Sequence, residues 1–163
     1  MNVAIIDLYE GINEFEYEVP PQNYDLAEVG SFSGPIRLKI FVDRLENLYR
    51  FKISASADIE FTCDRCLEPF LSHVNAMIEQ IYHLGVDDIG SDEIIILPGN
   101  SREINITEAI EESIVLNRKI KQLCKVDCKG LCSNCGINLN LKNCDCHLEN
   151  VDPRLEKLKS LLK

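Results

Sequence analysis

Eight cysteines, spaced Cys63-x2-Cys66 and then Cys124-x3-Cys128-x3-Cys132-x2-Cys135-x8-Cys144-x-Cys146, constrain this chain more than any other feature. A two-residue spacer lets one tight turn present both sulfurs to a single ion, and zinc takes four soft ligands in a tetrahedron. Gly136, directly after Cys135, suits the backbone of such a knuckle, where φ is often positive and amides turn back toward sulfur. Cys63-Asp64-Arg65-Cys66 offers the same arrangement without the glycine. The segment MNVAIIDLYE has no positive n-region, and runs such as Ile94 to Leu97 are far too short to span a bilayer. A cytoplasmic, membrane-free protein is therefore expected, and in that reducing compartment closely spaced cysteines read as metal ligands rather than disulfides.

Eight ligands suggest two tetrathiolate zinc sites. The local partition gives Cys132, Cys135, Cys144 and Cys146 to one and Cys63, Cys66, Cys124 and Cys128 to the other. It is preferred because short loops close at lower entropic cost. The alternative joins Cys124, Cys128, Cys132 and Cys135, leaving Cys144 and Cys146 to meet Cys63 and Cys66; the sequence does not choose. A redox CxxC needs a strand-to-helix context that lowers one thiol's pKa, whereas Cys63 lies between two strand patterns. An iron–sulfur cluster is the rival metal reading. His147 abuts Cys146, but two cysteines already serve there. His73 and His83 lack a sequence neighbourhood that marks a nucleophile and base, and read as strand residues.

The formal charge of −10 is unevenly spread. Residues 1–35 carry −7, residues 36–84 −1, residues 85–117 −7 and residues 118–163 +5. The cysteine-rich end is thus the basic end. Four thiolates around Zn²⁺ leave a formal charge of −2, which Lys125, Lys129 and Lys142 are placed to offset. A chain acidic overall lacks the usual footprint of a nucleic-acid binder.

Hydrophobic periodicity divides the chain into a β-rich body at 1–122 and a zinc-binding tail at 123–163, clamped to the body by the site of Cys63, Cys66, Cys124 and Cys128. Phe15, Tyr17 and Val19 alternate with Glu14, Glu16 and Glu18 until Pro20-Pro21. Ile36 to Val42, Phe51 to Phe61 and Val74 to Tyr82 repeat the two-residue period, with a hairpin around Arg44 to Leu48. Val86 to Glu93 reads as a mobile acidic loop. A helix follows, with Asn105 as N-cap, Glu108 three residues on, and Ile106, Ala109, Ile110, Ser113, Ile114 and Asn117 along one face. Asp152-Pro153 starts a short terminal helix with Leu155, Leu158 and Leu162 on one stripe. The expected class is α+β: an antiparallel sheet or partial barrel, one packed helix, a cysteine-rich zinc module and the short terminal helix.

The runs Cys63-Asp-Arg-Cys-Leu-Glu-Pro-Phe70, Cys128-Lys-Gly-Leu-Cys-Ser-Asn-Cys-Gly-Ile-Asn-Leu-Asn140, Cys144-Asp-Cys146 and Asp152-Pro-Arg-Leu155 together resemble the bacterial YceD family, described as large ribosomal RNA subunit accumulation proteins. Asn117-Arg118-Lys119-Ile120 departs from the proline-containing connection expected there. The resemblance implies a non-enzymatic factor in large-subunit biogenesis, with a ribosomal protein or pre-large-subunit particle as partner and ribosomal RNA as a further contact. It transfers no catalytic residue, and no small-molecule substrate is evident. Of the enzyme readings, a metal-dependent nuclease is disfavoured because four thiolates leave zinc no open position, and a thiol oxidoreductase because Cys63 lies between strand patterns. The alternative is a zinc-ribbon nucleic-acid-binding or transcription-related module, which the net charge opposes.

Overall fold

The structure is a computed structural model that describes residues 1–85 and 93–146. In chain order it has strands β1 (Asn2–Ala4), β2 (Gly11–Val19), β3 (Ser31–Phe32), β4 (Ile36–Leu45), β5 (Leu48–Thr62), β6 (Pro69–Leu84), β7 (Ile94–Leu97) and β8 (Glu103–Asn105), then helix α1 (Thr107–Asn117). The chain divides into two compact units. One comprises residues 1–61 and 70–120; the other joins residues 62–69 to the segment from Lys121 onward.

The first unit is a sheet with strand order β2-β4-β5-β6-β7, to which β3 adds on β5 beyond the end of β4. The period-two patterns become strands because each leaves one apolar row to bury. Ile36, Leu38, Ile40 and Val42 of β4 and Phe51, Ile53, Ala55, Ala57 and Ile59 of β5 are all buried. Fully burying one such large apolar side chain contributes roughly 1.5–3 kcal/mol. Leu45 pairs with Leu48 across the β4–β5 turn, where Glu46 takes φ 52°. The connection between β5 and β6 is far shorter than the dozen or so residues of a parallel crossover, so these neighbours form a hairpin.

Helix α1 belongs to the same core. Ile106, Ala109, Ile110, Ser113 and Ile114 are buried, and the Ser113 hydroxyl donates to the Ile110 carbonyl at 2.7 Å. Phe51 meets Tyr82 edge to face, with ring centroids 5.3 Å apart. Burial, and secondarily the charge of Glu108, pushes the Tyr82 phenol up to about 12. The acidic row of β2 is partly neutralised across the strand pair. Lys39 lies 2.6 Å from Glu14 and 3.3 Å from Glu16, and Arg37 lies 3.8 Å from Glu18. Such solvent-exposed pairs are screened and contribute little to stability.

Four details depart from the sequence expectation. First, the sheet is mixed rather than antiparallel, because β7 runs parallel to β6, Ile81 pairing with Ile94 and Leu84 with Leu97. Second, Asn105 is not the N-cap. It ends β8 and Ile106 stands at the helix boundary, although the Asn105 side-chain oxygen still accepts the Thr107 N–H at 2.9 Å. Third, Asn117 is exposed and donates to the Ser113 carbonyl at 2.8 Å instead of extending the apolar face. Fourth, a separate two-stranded sheet pairs β1 with β8, Val3 opposite Ile104. The expected mobile loop, except Glu93, and the expected terminal helix, with His147, lie outside the described residues.

Candidate metal centre

All eight cysteines fall in the second unit. The chain leaves β5 into Cys63, turns, and re-enters β6 at Pro69. Within this loop the Leu67 N–H donates to the Cys63 carbonyl and the Cys63 N–H to the Glu68 carbonyl, both at 2.9 Å. The later knuckle repeats the arrangement. There the Gly136 N–H donates to the Cys132 carbonyl and the Cys132 N–H to the Ile137 carbonyl, again at 2.9 Å.

The sulfurs gather into two sets. Those of Cys63, Cys66, Cys124 and Cys128 lie within 4.8 Å of one another, and so do those of Cys132, Cys135, Cys144 and Cys146. This is the local partition. The sulfurs of Cys63 and Cys128 are 3.8 Å apart and those of Cys66 and Cys124 3.7 Å. A tetrahedron with metal–sulfur bonds of about 2.3 Å has edges of about 3.8 Å. A disulfide would need about 2.05 Å. The donor sets are therefore consistent with two zinc sites. They differ in cover: Cys63, Cys66 and Cys128 are buried with Cys124 half-buried, whereas in the second set only Cys132 is buried and Cys135 is exposed.

Backbone amides supply much of the local field. The Cys124 N–H points at the Cys63 sulfur at 3.4 Å and is the main reason that thiol is pulled down to about 6. The amides of Cys135 and Asn134 do the same for Cys132, also to about 6. In the opposite direction, burial first and neighbouring thiols second push Cys124 up to about 12. A hydrogen bond with Cys135, then burial, pushes Cys146 up to about 11. Each set thus contains a thiol inclined to ionise beside thiols that resist it. Lys125, Lys129 and Lys142 are exposed.

The first set is braced from several directions. Arg65 donates to the Cys128 carbonyl at 2.9 Å, and the Leu131 N–H returns to the Arg65 carbonyl at 3.0 Å. Asp64 accepts the Gln122 N–H at 2.7 Å and gives its own N–H to the Gln122 carbonyl at 2.8 Å. Gly130, at φ 75°, lets the two segments approach: a Cβ there would sit 2.9 Å from the Arg65 carbonyl oxygen. Asn140 donates to the Cys128 sulfur at 3.3 Å. Sequence spacing marked the eight thiols but not Arg65 or Asn140, whose partners are distant in the chain.

The sheet unit holds one contact that sequence spacing also missed. His73 Nδ1 lies 2.7 Å from Asp58 Oδ1, joining β6 to β5, and both side chains are partly exposed. A shallow cavity of about 650 Å³ crosses the same sheet, lined in part by Arg37, Lys39, Ser54, Ser56 and Asn75. Its two bases are those already paired with Glu14, Glu16 and Glu18.

Residues 51–162 match the family model described as "Large ribosomal RNA subunit accumulation protein YceD", a span that holds all eight cysteines. A chloroplastic large ribosomal RNA subunit accumulation protein YCED homolog 1 of Zea mays is 38% identical over 80 residues, 48% of this chain and 27% of that protein. Its Arabidopsis thaliana counterpart is 40% identical over 55 residues, 34% of this chain and 17% of that protein. An uncharacterized protein of Mycobacterium leprae is 23% identical over 145 residues, 84% of this chain and 66% of that protein. This chain therefore spans well under a third of the two plant relatives. No solved structure matches it.

Proposed function

The chain belongs to the YceD family, and from that premise we propose that it is a non-enzymatic factor supporting accumulation of large-subunit ribosomal RNA. The observation that carries this reading is the family match across the whole cysteine-bearing region. In this reading the two cysteine sets each hold one zinc ion. Zinc ringed by four thiolates has no open position for water or substrate, so its contribution is to cross-link loops. The chelated unit is a small folded surface rather than a reaction centre.

The partner we assign is a basic ribosomal protein or a pre-large-subunit particle in the cytoplasm. Residues 1–35 and 85–117 each carry −7, which suits reversible capture of a basic chain before RNA displaces it. The +5 of residues 118–163 supports a second reading, in which the zinc-bearing segment touches nucleic acid directly. Sedimentation of tagged protein through a sucrose gradient separates these. Co-migration with large-subunit precursors, or recovery of a free ribosomal protein, is expected. Strongly salt-dependent binding to nucleic acid alone, with neither of those, would favour the second reading. Finding no ribosomal component and no nucleic acid would overturn both.

A further inference from the structure

The segment between Cys135 and Cys144 belongs by sequence to the second cysteine set, yet it supplies a direct contact to the first. Asn140 donates from Nδ2 to the Cys128 sulfur at 3.3 Å, while its Oδ1 accepts the Lys129 N–H at 2.9 Å. That backbone donor fixes the amide's orientation: with Oδ1 committed to Lys129, Nδ2 must face the sulfur. Asn138 holds Asn140 in turn. Its Oδ1 accepts both the Asn140 N–H, at 3.0 Å, and Nδ2, at 2.9 Å. The Asn138 side chain also reaches Glu68 at 3.4 Å, in the loop that carries Cys63 and Cys66.

The backbone fastens the same segment. The Leu139 N–H donates to the Gly130 carbonyl at 2.9 Å, and Leu131 and Asn138 form an isolated antiparallel bridge. Gly130 and Leu131 in turn pack on Arg65. The residues that close the second thiolate set thus form the support of the first.

We propose that Asn140, braced by Asn138, is a positioning residue for Cys128 and couples the two metal sites, so that metal in either set raises the affinity of the other. This rests on both sets holding metal. Metal bound by Cys132, Cys135, Cys144 and Cys146 fixes both ends of the Asn138–Asn140 segment and holds the amide against Cys128. An ordered N–H donor steadies the thiolate that a metal in the first set requires. Coupling of this kind is reciprocal, so emptying the first set must weaken the second by the same factor.

The second set is the more exposed and should release metal first, so its affinity is the quantity to follow. Zinc-loaded full-length protein is titrated with a chelator, freed thiols are alkylated, and peptide mapping identifies which cysteines reacted. The variants are Asn140→Asp, which keeps the acceptor for Lys129 but removes the donor to sulfur, Cys63→Ser with Cys66→Ser, which disables the first set, and all three substitutions together. Each of the first two should make Cys132, Cys135, Cys144 and Cys146 reactive at about 10- to 100-fold lower chelator. The triple variant should lose no more than the double cysteine variant. Cobalt-loaded Asn140→Asp should also show its sulfur-to-metal charge-transfer band at lower energy, a signature that altered loop packing alone would not give. Unchanged second-set affinity in the double cysteine variant, additive losses in the triple, or an unmoved band would overturn the proposal. Native protein whose eight thiols all react without chelator would instead overturn the underlying reading that the sets hold metal.

Discussion

Leu67 and Gly136 occupy equivalent places in two separate knuckles. Each follows the second cysteine of a Cys-x2-Cys pair, each donates its N–H to the carbonyl of the first at 2.9 Å, and each is left-handed, with φ 60° and 72°. The turn demands this backbone whatever residue stands there. Gly136 adopts it freely, whereas Leu67 carries a Cβ into a region that costs an ordinary residue roughly 1–2 kcal/mol.

Leu67→Gly should therefore stabilise the first site. Leu67 is 63% exposed, so little burial is lost. Glycine's extra freedom in the unfolded chain takes back roughly 0.5–1 kcal/mol. A net gain of about 0.5–1 kcal/mol is expected, read as later chelator-induced release of Cys63, Cys66, Cys124 and Cys128. Earlier release would mean the Leu67 side chain contributes something its exposure hides.

Gly130→Ala and Gly136→Ala should differ in severity although both glycines have positive φ. At Gly136 an added Cβ meets nothing within 4 Å, so only backbone strain of about 1 kcal/mol is expected. At Gly130 it would come 2.9 Å from the Arg65 carbonyl oxygen, the acceptor for Leu131. Parting those two segments should cost a further 1–3 kcal/mol or so, as that bond is lost. Zinc retention by the two variants measures the difference; equal losses would show that the close approach is not needed.

Much of this was legible in the sequence because it depends on local periodicity. Ile36 to Val42 and Phe51 to Ile59 alternate cleanly, and their buried rows follow directly. Cysteine spacing likewise singled out the eight thiols that gather into two sets, and loop entropy favoured the grouping seen. What was hidden is long-range. No pattern in Ile94–Leu97 reveals that it runs parallel to β6, because a short apolar run carries no direction. Val3 pairs with Ile104 across the whole sheet-forming stretch of sequence, which no local pattern marks. Asn138 and Asn140 stood out only as members of the Cys128–Asn140 run, and their bonds to Glu68 and Cys128 join segments distant in sequence.

Metal affinity should fall as pH falls. All four sulfurs of a set must be thiolates to bind zinc, and binding displaces whatever protons they carry. Cys124, pushed up to about 12, and Cys146, pushed up to about 11, are protonated at neutral pH without metal, so each site releases at least one proton on loading. Cys63 and Cys132, pulled down to about 6, are mostly ionised there; they take up protons as pH falls through that value, and the loss of affinity steepens. Zinc titration in weak buffer with an indicator dye, repeated from pH 8 to 5, reads both effects. Affinity independent of pH would contradict the assignment of thiolates as ligands.

Chelation should act in two stages and spare the sheet. Cys135 is exposed and Cys144 and Cys146 half-buried, so the second set gives up its metal at lower chelator than the first, three of whose four cysteines are buried. The apolar core belongs to the other unit: Phe51, Ile53 and Ile59 pack with Ile110 and Ile114 on residues that carry no metal ligand. Its folding free energy comes from that burial, not from thiolate bonds. Far-ultraviolet circular dichroism should therefore keep its strand signal after full chelation, while amide exchange accelerates first around residues 132–146 and then at 63–66 and 124–128. A single cooperative loss of strand signal and metal would show that the sheet needs the metal-bearing unit to stay folded.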